Sequence, residues 1–233
     1  MAKKTKQPSA SVAVDLGCGG GIYTEALADI GFTSVVGIDF STVMLEEAKK
    51  RCQDIEQISF QLGTTEQTGL PDQFAHFLMM RAVTHHLQQL QPTLQETRRV
   101  LQNDGLLLIQ DRTLEDCFHP GSVTHLRGFF YEVHPFLAQI EEQRRHSHAQ
   151  VITALKTAGF HTLHSHTLWE PRKSNANLRA VQNEILERRG RSLLHHLDDE
   201  QLVQLWQRIE QPLVEIEWPL VEIEPWTVWC ATK

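Results

Sequence analysis

A short apolar run at residues 11–16 (SVAVDL) stops at a glycine cluster, Gly17, Gly19, Gly20 and Gly21, and an amphipathic stretch over residues 22–30 follows at once. Glycine lets the backbone take positive φ and lets a ligand approach the start of a helix closely. The free N–H groups and positive dipole end of that helix favour a carboxylate or a phosphate. The pattern predicts a strand, a glycine turn and a helix ending at Gly31, with a ligand at the turn.

The same alternation continues. Residues 34–38 (SVVGI) read as a second strand ending at Asp39, and Ser41 as the cap of a helix through about residue 53, with Val43, Met44, Ala48 and Cys52 at helical spacing. A third strand spans 58–62, and a fourth, apolar except for His76, spans 74–80, as a buried parallel strand requires. A helix is expected over 86–101, a turn at Asn103-Asp104-Gly105 and a fifth strand at 106–109. Short links between alternating elements predict a doubly wound, mostly parallel α/β sheet.

The second half is less regular. Residues 113–145 read as a partly helical insertion, 149–158 as a helix, 161–169 as a strand and 175–211 as mainly helical with a charged break at 187–191. Residues 225–232 read as the last strand, with Trp226, Val228 and Cys230 on one face. The expectation is one domain over 1–233, with its core at 11–110, 149–169 and 220–233 and helical lid insertions at 112–148 and 170–218.

A formal net charge of -7 argues against a general nucleic-acid binder, since no long Lys/Arg face is available to neutralise phosphates. Lys3, Lys4 and Lys6 are the exception, and no apolar run follows them as in a secretory signal. No stretch approaches the ~18 apolar residues of a membrane span. Cys18, Cys52, Cys117 and Cys230 are scattered without a C-x-x-C pair, which suits a reducing cytoplasm.

Asp39 falls at the carboxyl edge of the sheet, where it can accept from two vicinal ribose hydroxyls. A dinucleotide fingerprint needs its third glycine where Ile22 stands, and no G-K-[ST] follows for a P-loop. Asp15, two residues before the first glycine, would repel a pyrophosphate and suits a cofactor carrying cationic groups. Asp15-x-Gly17-x-Gly19-x-Gly21 with Asp39 resembles the class I S-adenosylmethionine (SAM)-dependent methyltransferases. Further segments carry the likeness: residues 60–66 with Leu70-Pro71, residues 79–87, Arg98-Arg99-Val100-Leu101 to Gly105-Leu106-Leu107-Leu108-Ile109, and residues 156–160. The third of these resembles the helix-to-strand turn of the small-molecule, ubiquinone-methylase-like branch.

That resemblance implies a Rossmann-like seven-stranded sheet with an antiparallel last strand, a cytoplasmic enzyme, SAM as methyl donor, S-adenosylhomocysteine as product and a small-molecule acceptor. Gly17, Cys18, Gly19 and Gly21 would hold the methionine end, with Asp15 supporting the loop or its amino group and Asp39 on the ribose. Ile38, Phe40 and Met44 would flank the adenine, and Met80 and Arg81 the sulfonium side. The acid usual after the third strand is Thr64 here, so the adenine amino group is left to Thr65 or Glu66. About eleven residues precede the first strand, so the insertions are expected to supply most of the lid.

A general base is required only for a hydroxyl or a protonated amine. His85 and His86 begin a predicted helix where the methyl would lie, and Tyr131 and His134 in the insertion are further candidates, beside Asp111, His119, His125 and Glu132. The thirteen histidines raise the question of a metal. His164 and His166 share a strand face that His161 does not, His146 and His148 diverge on a helix, and no zinc spacing occurs, so no metal is expected. Two rivals remain: a SAM-binding regulatory protein without catalysis, and a nicotinamide oxidoreductase, which Ile22 disfavours.

Overall fold

The computed structural model describes residues 11–233; Lys3, Lys4 and Lys6 lie outside the described residues. In chain order the elements are β1 (Val12–Leu16), α1 (Ile22–Ile30), β2 (Ser34–Asp39), α2 (Thr42–Arg51), β3 (Ile58–Leu62), β4 (Ala75–Arg81), a 3-10 turn (Thr84–His86), α3 (Gln91–Val100) and β5 (Leu101–Asp111). There follow α4 (Leu114–Cys117), α5 (Arg127–Val133), α6 (Phe136–Arg144), α7 (His148–Thr157), β6 (His161–Asn175), α8 (Leu178–Leu186), a 3-10 turn (Ser192–His196), α9 (Asp199–Leu213) and β7 (Leu220–Thr232).

The seven strands form one sheet in the order β3-β2-β1-β4-β5-β7-β6. The pairs β3-β2, β2-β1, β1-β4 and β4-β5 are parallel, and the last strand runs antiparallel, as the Rossmann-like expectation required. Strand order reverses at β1, between β2 and β4. In such sheets the crevice outside the carboxyl ends at that reversal is where ligands bind.

The chain divides into two compact units. The first holds the described residues through Asp111, His148–His166 and Val228–Lys233; the second holds Arg112–Ser147 and Thr167–Thr227. In the first unit β1 is buried on both faces, with Ala13, Val14 and Leu16 in the core, as a central parallel strand must be. Leu78, Met80, Leu94, Leu107, Ile109 and Trp229 continue that core, each full burial worth about 1.5–3 kcal/mol before entropy costs. Gly21 and Gly31 bound α1 in left-handed conformation, and the Ser41 hydroxyl caps α2 by accepting from the Met44 N–H.

The second unit has its own apolar core, including Phe129, Phe130, Leu205, Trp206 and Ile209. Buried ion pairs run through the same unit. Glu224 meets Arg112, Arg127 and Arg191, and Glu222 meets Arg172 and Arg191. Glu141 meets Arg127 at 3.3 Å, Arg144 at 2.6 Å and Arg145 at 2.5 Å. Burial pushes the Glu224 carboxyl up, but Arg127, Arg191 and Arg112 outweigh it and hold it down at about 2. Glu141 is likewise held at about 2, its burial overcome by Arg144, Arg145 and Arg127.

Three local expectations need correction. The helix expected from residue 86 starts at Gln91, with proline in its first turn, and a 3-10 turn stands at Thr84–His86 instead. His85 and His86 therefore do not sit at an α-helix N-terminus. The turn at 103–105 is absorbed into β5: Asp104 takes φ 62° and the pairing with β4 shifts between Ala75 and Phe77, the mark of a bulge. The last two strands run longer than their alternation indicated, because β6 continues through Glu170-Pro171-Arg172-Lys173 and β7 already begins at Leu220. On β7 Trp226, Val228 and Cys230 do share a face, and the opposite face, with Thr227, Trp229 and Ala231, is the more buried one.

Candidate functional site

The turn after β1 is fastened to the end of β2. The N–H groups of Gly17 and Cys18 both donate to the Ile38 carbonyl, at 2.8 and 3.0 Å. Asp39 secures the other side: one carboxylate oxygen accepts from the Gly19 N–H and the other from the Ser41 N–H, each at 2.9 Å. Gly17 has φ 81°, and a Cβ there would stand 2.5 Å from the Val83 Cγ2, so both conformation and space exclude a side chain. Gly21 serves packing. A Cβ at Gly21 would press on Ala48 and Phe60, and its N–H is used by the Cys18 carbonyl. Gly21 thus lets α1 seat against its neighbours and is absent from the cavity wall, unlike Gly17, Cys18 and Gly19.

Beside this turn is a cavity of about 710 Å³, within the range of small-molecule sites, whose described lining residues belong to the first unit. Asp15 lies at its base, 2% exposed, accepting from the Thr24 hydroxyl at 2.7 Å. Burial pushes the Asp15 carboxyl up to about 6; the Thr24 bond partly opposes this and the Asp39 charge adds to it. The Cys18 thiol is pushed up to about 12 by burial, with Asp15 and Asp39 adding, so it is no nucleophile.

Phe40, Met44, Thr64 and Thr65 form another part of the wall, with Ile38 and Ser41. Phe40 is 78% exposed, an apolar ring that the protein leaves uncovered at the cavity. The Thr64 hydroxyl accepts from the Gln67 N–H at 3.1 Å and the Thr65 hydroxyl from Thr93 at 2.9 Å, so both are tied into the loop. Glu66 is exposed and is not among the lining residues. Nor is Met80, 1% exposed in the core, because alternation along β4 turns it away while Arg81 reaches the wall. The Arg81 guanidinium lies 4.4 Å over the Tyr23 ring, and both line the cavity.

The opposite rim is the segment after β4. Ala82, with φ 55°, Val83, His86 and Leu87 line the cavity. Within the 3-10 turn, Thr84 donates its hydroxyl to Asp111 at 2.8 Å and His85 donates its backbone N–H to the same carboxylate at 3.2 Å. The His85 ring meets Asp111 through Nδ1, at 3.1 and 3.2 Å to the two oxygens. Asp111, the last residue of β5, is 1% exposed. The His85 and His86 rings are 4.0 Å apart.

Tyr131 and His134 belong to the second unit, whereas the described lining residues belong to the first. The Tyr131 ring packs edge-on against Phe118 and its hydroxyl is pushed up by burial. His134 is 6% exposed, with Nε2 donating to the Gln201 carbonyl at 2.9 Å, which leaves that nitrogen unable to take a proton. Sequence reasoning missed Tyr23, Val83 and Leu87 on the wall and the Asp111 contact to His85. An acid closing a strand at the carboxyl edge was the available signal for the last; the others are ordinary residues whose role comes from packing. Among the described residues no three His, Cys, Asp or Glu side chains cluster to hold a metal ion.

Residues 14–109 match the family described as methyltransferase domain. An uncharacterised methyltransferase, YcgJ, of Bacillus subtilis is 30% identical over 100 residues, covering 42% of this chain and 39% of that protein. A ubiquinone biosynthesis O-methyltransferase of Actinobacillus pleuropneumoniae is 31% identical over 110 residues, 44% of this chain and 47% of that protein. The chain thus matches under half the length of either relative. The solved structure of Haemonchus contortus phosphoethanolamine N-methyltransferase 2, in complex with phosphomonomethylethanolamine and S-adenosylhomocysteine, superposes with a TM-score of 0.61 at 16% identity, covering 98% of this chain and 50% of that one. Residues 14–109 are thus similar to a methyltransferase domain, and the chain shares its fold with solved methyltransferases.

Proposed function

We propose that this chain is a SAM-dependent methyltransferase acting on a small-molecule acceptor. The observation that carries the reading is the glycine turn, held between the Ile38 carbonyl and Asp39 beside a cavity of about 710 Å³. The donor set fits the cofactor. The turn presents backbone at Gly17–Gly19, Asp15 supplies negative charge beside it, and Phe40 and Met44 supply an apolar wall. Asp39 has spent one acceptor site on each oxygen, and a carboxylate has about four, so capacity remains for two ribose hydroxyls.

In this reading Gly17, Cys18 and Gly19 take the methionine end and Asp15 faces its ammonium. Asp39 receives the ribose, Phe40 and Met44 flank the base, and Thr64 and Thr65 stand at its edge. When bound, the cofactor supplies an electrophilic methyl on a sulfonium. Arg81, Val83, His86 and Leu87 then define where an acceptor rests, and they align it and exclude water, effects worth up to ~7–11 kcal/mol in favourable cases.

Calorimetry with SAM and S-adenosylhomocysteine tests the reading: micromolar binding is expected, and no binding at sub-millimolar ligand sinks it. Asp39→Ala is expected to weaken binding by about 2–4 kcal/mol, combining lost ribose bonds with a loosened Gly19. Unchanged affinity removes Asp39 from the ribose. Tight binding without transfer to any acceptor would favour a regulatory protein that has kept the cofactor site.

A further inference from the structure

We infer that Asp111, the last residue of β5, is a positioning residue for the cofactor: it clasps the turn after β4 and thereby sets the wall that packs on Gly17. The inference rests on the SAM-dependent reading for the identity of the ligand. It adds a residue that is not among the described lining residues of the cavity.

The clasp joins one carboxylate to one short turn. Asp111 is 1% exposed and Thr84 4%. The Asp111 Oδ2 accepts from the Thr84 hydroxyl at 2.8 Å and from the His85 backbone N–H at 3.2 Å. The His85 Nδ1 meets Oδ2 at 3.1 Å and Oδ1 at 3.2 Å. A carboxylate accepts, so Nδ1 carries the hydrogen there. The preceding residue of β5 adds a backbone tie, since the Gln110 carbonyl accepts from the Ala82 N–H at 2.9 Å. Two more bonds, from the His86 N–H to the Val83 carbonyl and from the Leu87 N–H to the Thr84 carbonyl, close the turn on itself. The fastening to the sheet runs to β5.

That fastening is needed because the turn begins in a conformation that alanine resists. Ala82 has φ 55°, in the left-handed region that residues with a Cβ rarely hold. A residue so placed persists where its surroundings over-determine it. Gln110 fixes Ala82 itself, and Asp111 fixes the chain two and three residues further on. Bonds to an ionised acceptor are the stronger kind, so the clasp outweighs a single strained residue.

What the turn carries is cavity wall. Ala82, Val83, His86 and Leu87 line the cavity, and Val83 stands between the strained residue and the clasp. The Val83 Cγ2 lies 2.5 Å from where a Gly17 Cβ would be, so it packs directly on the glycine turn. The other side of that glycine turn is secured in the same manner, by Asp39 at the end of β2. Two strand-end carboxylates therefore hold two turns that meet at Gly17 and Val83. Asp39 lines the cavity itself, whereas Asp111 acts through Thr84 and His85. A wall ordered before the ligand arrives spares binding that ordering cost.

The test is calorimetry of S-adenosylhomocysteine on the full chain, with amide hydrogen exchange of the unliganded chain as a ligand-free readout. Asp111→Ala is expected to weaken S-adenosylhomocysteine binding by ~10–100-fold, the scale of one charged hydrogen bond. Asp111→Asn keeps an oxygen for Thr84 and the His85 N–H, and its amide can donate to Nδ1 of the other tautomer, so affinity should stay within ~3-fold. Ala82→Gly in the Asp111→Ala background should recover ~3–10-fold, because glycine holds positive φ without help. A residue that only stabilised the sheet would give no such recovery. Thr84→Val should weaken binding alone and add nothing once Asp111 is alanine, since the two act as one unit. In exchange, Asp111→Ala should speed the His86 and Leu87 amides by ~10-fold or more and leave β1 and β2 as they were.

Unchanged affinity in Asp111→Ala, an equal loss for alanine and asparagine, no recovery with Ala82→Gly, or exchange that rises evenly over β1, β2 and the turn each overturns the inference. Should Asp111→Ala fail to fold, Thr84→Ser against Thr84→Val carries the same comparison. Serine should keep the affinity and valine lose it, and equal affinities overturn the clasp. A chain that does not bind S-adenosylhomocysteine overturns the SAM reading, and the exchange measurement then decides the clasp by itself.

Discussion

The two units are held together by different chemistry. The first combines a parallel ladder with an aliphatic core and buries an acid, Asp15, answered by one threonine hydroxyl and no cation. The second buries several glutamates, each met by two or more arginines, some from segments far apart in the chain, as Arg127 and Glu224 are. An unpaired buried acid stores destabilisation that a cationic ligand can relieve. A saturated ion network offers no such reward, and its partial loss leaves charge stranded. The unit with the cavity is the one that keeps its acid under-compensated, a pattern typical of sites that bind.

The largest effect that sharpens this contrast is Glu224→Gln. It strands Arg112, Arg127 and Arg191 against a neutral partner, and a loss of about 3–5 kcal/mol is expected in urea unfolding. A loss below ~1 kcal/mol would break the claim that these pairs hold the second unit.

Asp15→Asn acts in the opposite direction. The folded Asp15 titrates near 6 against an ordinary value near 4, so the folded state binds more protons between those values and stability falls as pH rises through them. Removing the charge should stabilise the chain by about 2–3 kcal/mol at pH 7, with the advantage fading below pH ~4, as thermal melts at both pH values would report. SAM affinity should fall in the same variant. Glu141 and Glu224, held at about 2, show the reverse sign: their contribution is complete above the ordinary carboxylate value and is lost as pH falls toward 2. Melts that gave both units the same pH sign would contradict the comparison.

The smallest expected effect is Gly17→Ala. A left-handed alanine costs about 1–2 kcal/mol, and its Cβ meets Val83 at 2.5 Å. Adding Val83→Ala should return the contact part and leave the conformational part. Full rescue would show that space alone, and not φ, selects glycine there.

Much of the first unit was legible because its signals are local. The run of residues 11–16, the glycines after it and Asp39 closing the next strand predict strand–turn–helix–strand, and α1 and β3 occupy the predicted residues. The second unit was hardly legible: three short helices, long extensions of β6 and β7 and an ion network leave no periodic trace, since Glu224 finds Arg112, Arg127 and Arg191 tens of residues away. At the site, Gly21 and Met80 looked like ligand contacts because motif spacing does not record which way a residue faces.

By itself the sequence determined the class of the sheet, the position of the glycine turn and the acids beside it. These follow from nearest-neighbour preferences: glycine for positive φ, alternation for strands, a hydroxyl for a helix cap. Tertiary structure alone decided that Asp39 holds Gly19, that Val83 closes the space above Gly17 and that Asp111 turns the His85 ring. The physical reason is that β5 is brought beside β4 only by sheet pairing, so an acid and an imidazole 26 residues apart become partners through register, which no local pattern encodes.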